Sequence, residues 1–491
     1  MTIDPRTPVV VGVAQAMQRP DDLSEAREAV ALMEQVVRDA AADAGAPGLL
    51  TKLDHVGVVQ GAWKYSDPAR LIADSVGADN ARTSISANGG NTPQSYTNAL
   101  AARIKAGELD VAVFCGAETI WSRRRQRRAE MTVPFTKQRD VMPDEHFGAD
   151  VSMQTEFEQS RGMEMPIHFY PLFDSAIRHA RGETIDEHRD RIAKLWATFN
   201  ERAVANDYAW TRTPMTAAEI RESSPTNRMV GFPYTKAMNS NWDLDQAAAV
   251  LMCSAEAAEA AGVPRDKWVF PWAGTDAHDT YVVSERRDLH SSPAITEAAK
   301  KIFSLTDLGP DDVDHVDLYS CFPSAVQVGA ESMGFSEDRL LTQTGGLTFA
   351  GGPLNNYVTH SIATMVDVLR ADAGSVGLVS ANGGFLTKHA IGVYSTEPPA
   401  HDYVAADVQD KVDQIPVTPV AEDHTGAVTV EAYTVMHNAE GPEVALCALR
   451  TPEGARTWGR VTDIAAATAM TTEEAIGTSG AIDPDGIVTL G

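Results

Sequence analysis

The feature that most constrains this chain is one local grammar used twice, about 260 residues apart. In its first use a Gly/Asn turn, SANGGNTPQ, leads into a helix opened by Thr92 and Pro93 and running to Lys105. Gly107 and a buried strand from Asp110 to Gly116 follow. In its second use GGPLNN precedes a helix from Tyr357 to Leu369, then Gly374 and the strand VGLVS at Val376 to Ser380. So long a period excludes a solenoid and predicts two similar α/β halves. Alternating strands and helices predict a largely parallel sheet. Upstream, VVVGV at residues 9–13 reads as a buried strand. Leu23 to Ala44 reads as a helix with Ala29, Leu32, Met33, Val36 and Ala40 on one face, Asp22 and Glu25 as a capping box, and Gly45 and Pro47 as its stop.

Two stretches break this grammar. Residues 120–245 carry a basic run (Arg123, Arg124, Arg125, Arg127, Arg128), the apolar stretch MEMPIHFYPLF and charged helices, and read as an inserted loop domain. The aromatic, Met-rich stretch suits either a hydrophobic tunnel or the core of that domain. Beyond Pro398 and Pro399 the chain turns to alternating apolar runs such as AVTVEAYTV and EVALCAL, which predict a small β-barrel or sandwich over residues 399–491. The expected division is therefore 1–265, containing the loop domain, then 266–398 and 399–491.

With 41 Lys plus Arg against 68 Asp plus Glu among 491 residues, the net charge of -27 disfavours nucleic acid and anionic membrane surfaces as partners. The segment from residue 400 onward holds four basic and fifteen acidic residues, so an oligonucleotide-binding role for a barrel there is disfavoured as well. Cys115, Cys253, Cys321 and Cys447 form no C-x-x-C pair. Neither a disulfide framework nor a thiolate metal site is indicated, and a reducing cytoplasmic location is expected. No apolar run approaches the ~20 residues of a membrane span, and the first residues lack a signal-peptide layout.

In order, five stretches resemble sequence blocks of the thiolase superfamily. They are SISANGGNTPQSYTNALAARIKAGELDVAVFCGAET, MNSNWDLDQAAAVLMCSAEAA, VDHVDLYSCFPSAVQVGAESMGF, GGLTFAGGPLNNY and SANGGFLTKH. The resemblance covers residues 8–395. It implies the layered αβαβα thiolase fold of two duplicated halves, with a loop domain that helps bind coenzyme A or an acyl-CoA thioester. The appended acidic tail makes the chain look most like the thiolase-like protein type 1 branch, whose members carry an additional C-terminal domain.

Thiolases accept an acyl group on one cysteine, move a proton with another, and hold the thioester oxygens with donors. By the resemblance the acyl-accepting cysteine falls on Gly90, the histidine of the G-H-P block on Gly352, and the cysteine of the C-x-G block on Ala381. Cys321 stands where the sterol-carrier type keeps a proton-transferring cysteine, next to Tyr319. Further catalytic candidates are His360, Asn356, Lys388 and His389, in blocks that face the cavity in relatives. Asn355 beside them is a candidate as well. Asn91, Gly351 and Gly383 are candidates to line the ligand, and Arg123, Arg124 and Arg125 to meet its phosphates. Each has a plainer reading: Cys321 as a small buried hydrophobe, His360 as a satisfied core histidine, the asparagines as turn and helix-start residues, the arginines as a solvated loop.

The expectation is a thiolase-like, nominally acetyl-CoA acetyltransferase homologue that binds coenzyme A or acyl-CoA with little or no thiolase activity. A carbon–carbon lyase using Tyr319, Cys321 or His360 as acid and base, and a non-catalytic scaffold, stay open beside it. A monomer is favoured over the common thiolase dimer.

Overall fold

The computed structural model describes residues 3–139 and 141–491. The strand Val111–Thr119 is buried along its whole length, and its alternate residues serve two different cores. Val111, Val113 and Cys115 join the helix Ala29–Asp43, whereas Ala112 and Phe114 face Tyr96, Leu100 and Ile104 of the helix Thr92–Lys105. A strand covered on both faces has no polar side to display, which is why such segments read as unbroken apolar runs.

Five strands and a short edge segment form this first sheet, in the order Pro8–Met17, Asp245–Ser254, Val111–Thr119, His55–Val58, Arg82–Ser86 and Glu145–Phe147. A second sheet runs His315–Asp317, Val376–Gly383, Lys388–Ser395, Phe270–His278, Val404–Asp407. The duplication holds for four consecutive strands of each sheet. In each half a parallel pair (His55–Val58 with Val111–Thr119; His315–Asp317 with Val376–Gly383) is followed by two antiparallel pairings. The largely parallel sheet expected from sequence is thus a mixed one, because the strand returning from the loop domain inserts antiparallel between its neighbours. The buried helices Thr92–Lys105 and Tyr357–Ala371 pack against each other between the sheets. Ala29–Asp43 covers one outer face and Pro293–Thr306 the other, completing five α-β-α-β-α layers.

Local boundaries differ from the sequence reading in two places. The first helix starts at Ala29; Asp22 caps a separate 3-10 turn, Leu23–Glu25, through the amide of Ser24. The arginine run is helical, Ile120–Arg128, rather than a loop. MEMPIHFYPLF enters the helix Pro166–Arg181, whose Phe169, Tyr170, Leu172 and Phe173 are all buried.

The C-terminal segment forms a sheet ordered Arg456–Val461, Pro442–Arg450, Gly426–His437, Ser479–Ile482, Val488–Leu490. Its outer strands meet at the single bridge Arg460–Ile487, so the barrel is an open sheet joined at one point. The strand Gly426–His437 also accepts a loop-domain hairpin, Met229–Gly231 with Tyr234–Thr235, and packs on the helix Pro166–Arg181. No helix among the described residues is long and apolar enough to cross a membrane.

Buried charge welds this last sheet to the core. The Arg456 side chain, with no exposed surface, donates to the carbonyls of Ser284 (2.9 Å) and Arg286 (2.6 Å) and to the Glu431 carboxylate at 2.7 and 2.8 Å. Trp458 Nε1 donates to Ser284 Oγ (2.7 Å), and the same serine donates to the buried Glu158 (2.6 Å). Removing Arg456 leaves Glu431 and these carbonyls uncompensated. Arg456→Ala is expected to cost about 3–5 kcal/mol in chemical denaturation. Arg450→Ala, which removes the more exposed partner of Glu431, should cost below ~1 kcal/mol.

Candidate functional site

The loop between strand Arg82–Ser86 and helix Thr92–Lys105 lies where the two halves meet, and it is packed to backbone contact. A Cβ on Gly90 would overlap the Tyr319 hydroxyl, and would lie 2.5 Å from the Asn382 carbonyl oxygen and 2.8 Å from Tyr319 Cζ. A Cβ on Gly383 would overlap Asn91 Oδ1 and reach 3.0 Å from Gly89 Cα. Glycine at both positions is therefore a packing requirement. The side-chain volume at Gly90 belongs to Tyr319, whose ring is held edge-on against Tyr357 (centroids 5.6 Å apart) and whose backbone amide donates to Ser380 Oγ (3.0 Å).

Behind Tyr319 sits a buried polar knot. Asn382 Nδ2 donates to Tyr170 Oη (3.0 Å) and contacts Cys321 Sγ at 3.9 Å. Tyr170 Oη accepts from the Leu386 amide (2.9 Å) and donates to the Gly384 carbonyl (3.0 Å). Asn382 Oδ1 has no hydrogen-bond partner among the described residues. Burial pushes the Cys321 thiol up to about 12 and the phenols of Tyr319 and Tyr170 well above their ordinary value. All three are protonated at neutral pH: they can donate hydrogen bonds, and they are poor bases or nucleophiles.

On the outer side of the loop, Asn88 N donates to Asp150 (2.8 Å) and Gly89 N to Asn355 Oδ1 (3.1 Å). Asn355 Nδ2 in turn reaches the Gln60 carbonyl at 2.8 Å. Lys388 Nζ donates to the Asn88 carbonyl, and burial lowers its pKa. The structure thus brings together Gly90, Asn91, Tyr319, Cys321, Gly383 and Lys388.

It places the other sequence candidates apart. Asn356 ties the helix start to the first sheet by donating to the Gly116 carbonyl (2.8 Å). His360 Nδ1 meets Gln15 Oε1 (2.9 Å), and burial drops the ring to about 3, so it stays neutral. His389 contacts Asp279 (3.4 Å) and Ser292 (3.5 Å) through the same nitrogen, Nε2, while the Ser292 hydroxyl caps the helix Pro293–Thr306. Three such groups in a hydrolytic triad would use opposite ring nitrogens. The other three thiols are buried, and burial raises each of them.

A cleft of about 1150 Å³ opens between the loop domain and the core, lined by Trp121, Trp210, Trp242, Arg125 and Lys236. Its floor borders the site. Ser240 donates to the Cys321 carbonyl (2.9 Å), and the Gly352 amide donates to Asn241 O (2.8 Å). Gly351, at φ 118°, is pressed against Leu244 and Gln246. Of the three arginines proposed for phosphates, Arg125 lines the cleft but shares Asp243 with Arg124 (3.6 and 3.3 Å), and Arg123 turns to the Ala62 carbonyl.

Sequence reasoning missed four residues. Asn382 lies between two flagged positions, and its signal was a polar side chain in a buried strand. Tyr170 stood inside MEMPIHFYPLF with nothing to set it apart from its aromatic neighbours. Asp150, which anchors the loop, carried no signal. Glu118 ends the apolar run of Val111–Thr119; one oxygen accepts from the Ala62 amide (2.6 Å), and burial raises the carboxyl to about 7.

Residues 407–487 match the family described as "Thiolase-like protein type 1 additional C-terminal domain". The whole chain aligns with a monomeric SCP2-thiolase like protein type 1 from Mycobacterium smegmatis at 30% identity and TM-score 0.87, covering 100% of both chains. An acetyl-CoA acetyltransferase of Methanothermobacter thermautotrophicus is 25% identical over 264 residues. That alignment takes in 49% of this chain and spans 66% of that relative's length. An Ltp2-ChsH2(DUF35) aldolase shares the fold at TM-score 0.60 and 18% identity, over 79% of this chain and 98% of its own.

Two predictions follow from the packing and from Glu118. Gly90→Ala should destabilise by about 1–3 kcal/mol. Tyr319→Leu in the same chain should recover only part of that loss in thermal unfolding, since the Asn382 carbonyl stays in place. Glu118 binds its proton more tightly folded than unfolded, so its contribution to stability is full below the ordinary glutamate value of 4.5 and is lost as pH rises through about 7. Glu118→Gln should flatten the stability profile across that window. The full-length match, the duplicated layered core and the C-terminal sheet together make this chain a member of the thiolase superfamily.

Proposed function

We propose that the protein binds a coenzyme A thioester in the tryptophan-lined cleft and does not perform the acyl transfer of a thiolase. One observation carries this reading: the Tyr319 hydroxyl fills the space that a side chain at Gly90 would need. Acyl capture requires a thiolate at the end of the bound pantetheine arm. Glycine supplies none, and the only nearby thiol, Cys321, is held protonated behind Asn382. The cleft supports the binding half. Trp242 is 53% exposed on it and offers a face for an adenine ring, and Lys236 offers a cation for a phosphate, while Arg125 is shared with Asp243, and Glu219 and Glu222 also line the cleft. The acetyl-CoA acetyltransferase name of a relative supports the same ligand class.

A second reading draws on Tyr319 itself and on the aldolase named among the fold neighbours. In a retro-aldol cleavage a base takes the β-hydroxyl proton, the carbon–carbon bond breaks, and the electron pair moves onto the thioester as an enolate, which is then protonated. Tyr319, protonated at neutral pH, suits the role of donor to that enolate. The base has no clear occupant: Cys321 and Tyr170 are protonated too, and Lys388 is engaged with the Asn88 carbonyl. The binding reading is therefore the better supported.

Purified protein given acetoacetyl-CoA and coenzyme A should show no thiolysis. Turnover in the ordinary enzyme range of about 1–10³ s⁻¹ would overturn the proposal. Coenzyme A should quench the tryptophan fluorescence on binding, and Trp242→Ala should weaken that binding by about 1–3 kcal/mol, the worth of one stacked base.

A further inference from the structure

A buried positive charge stands unpaired just after the 3-10 turn Val283–Glu285. Arg286 is 5% exposed, and its Nη2 donates to the Phe385 carbonyl (2.6 Å) and to Thr387 Oγ1 (3.0 Å). Its Nε has no acceptor, and no carboxylate among the described residues pairs with the guanidinium, which faces the Phe173 ring at 5.2 Å. Arg178 and Arg456, also buried, each meet a glutamate: Glu474 at 3.0 Å and Glu431 at 2.7 Å. Burial lowers the Arg286 pKa; the fields of Asp279 and Glu158 offset this only in part, and Arg456 adds like charge. A charge taken out of water persists where something compensates it.

The guanidinium lines a cavity of about 30 Å³, which lies between this turn, the start of the helix Pro293–Thr306 and residues 412–417. The two carboxylates on the cavity wall are engaged elsewhere. Asp279 accepts from the Ser292 hydroxyl and the Ala294 amide (3.1 Å) and meets His389 at 3.4 Å. Asp288 accepts from the Ser291 amide (2.9 Å) and hydroxyl (2.7 Å) and pairs with Arg287 at 3.0 Å. Val412, Ile415, Pro416 and Val417 close the other side with apolar surface. What the cavity lacks is an acceptor for Arg286.

We propose that this cavity binds one small monovalent anion, chloride or a carboxylate of formate's size, on the Arg286 guanidinium. Its volume exceeds the ~10–15 Å³ that a single water needs. One unpaired cation beside two carboxylates favours a single negative charge over the double charge of sulfate or phosphate. The ion braces two parts of the molecule. Through Arg286 it steadies the turn at Phe385 and Thr387, where the Gly384 carbonyl and Leu386 amide hold Tyr170 behind the Gly90 loop. It also seats residues 412–417, which lead to Thr418 on the Glu285 carbonyl (2.9 Å) and on into the C-terminal sheet.

The test uses the full chain in chloride-free buffer. The NMR line of added chloride should carry an excess width that saturates as chloride is raised. Formate should remove that width, and sulfate of equal ionic strength should leave it. Arg286→Gln should abolish it, with circular dichroism confirming that the variant is folded. A second measurement needs no variant: crystals of the unmodified protein grown in sodium bromide should show an anomalous peak beside the Arg286 guanidinium. The proposal is overturned by a chloride line without saturable broadening, by broadening that survives Arg286→Gln in a folded chain, or by displacement with sulfate as readily as with formate. Bromide crystals whose Arg286 cavity holds water alone overturn it as well.

Discussion

The contact between the Tyr319 hydroxyl and the backbone of Gly90 decides what this scaffold can do. It is a steric fact before it is a chemical one. A tyrosine from one half of the duplicated core occupies the volume that a side chain at Gly90 would need, and the Asn382 carbonyl closes the remaining space. Everything nearby fits around that occupancy. Asn382, Tyr170 and Cys321 share hydrogen bonds in a buried, protonated cluster, and Gly383 is glycine because the Gly89–Gly90 backbone lies against it. Polar groups buried this tightly make rearrangement costly, although Asn382 Oδ1 has no partner among the described residues.

The duplicated core holds the loops around Gly90 in place. Strands buried on both faces and two central helices in mutual contact fix the loops at the interface of the halves with little freedom. The C-terminal sheet adds to this rigidity. It is bound through fully buried Arg456 and Trp458 to the turn around Ser284, and through Gly426–His437 to the loop domain. It is therefore part of the body of the protein, resting on the same loop domain that forms one wall of the cleft.

Much of this was legible in the sequence. The repeated turn-helix-strand unit predicted the two halves, and the limits of Thr92–Lys105 were marked by Pro93 and Gly107. The absence of a nucleophile at Gly90 was visible as a residue identity. What filled the gap was not, because Tyr319 lies more than two hundred positions away and only tertiary packing brings its hydroxyl to the loop. The same holds for His360 and Asn356. Their blocks pointed to the cavity, yet helix phase turns one toward Gln15 and the other toward Gly116. The mixed pairing of the sheets escaped for a related reason: a strand's direction depends on where the chain re-enters, and periodicity carries no information about that.

The central claim is that no covalent acyl-enzyme forms on this scaffold. Mass spectrometry of the intact protein after incubation with excess acetyl-CoA tests it most directly. The account predicts an unchanged protein mass. A stoichiometric acetyl adduct, mapped to any residue around Gly90, would contradict it.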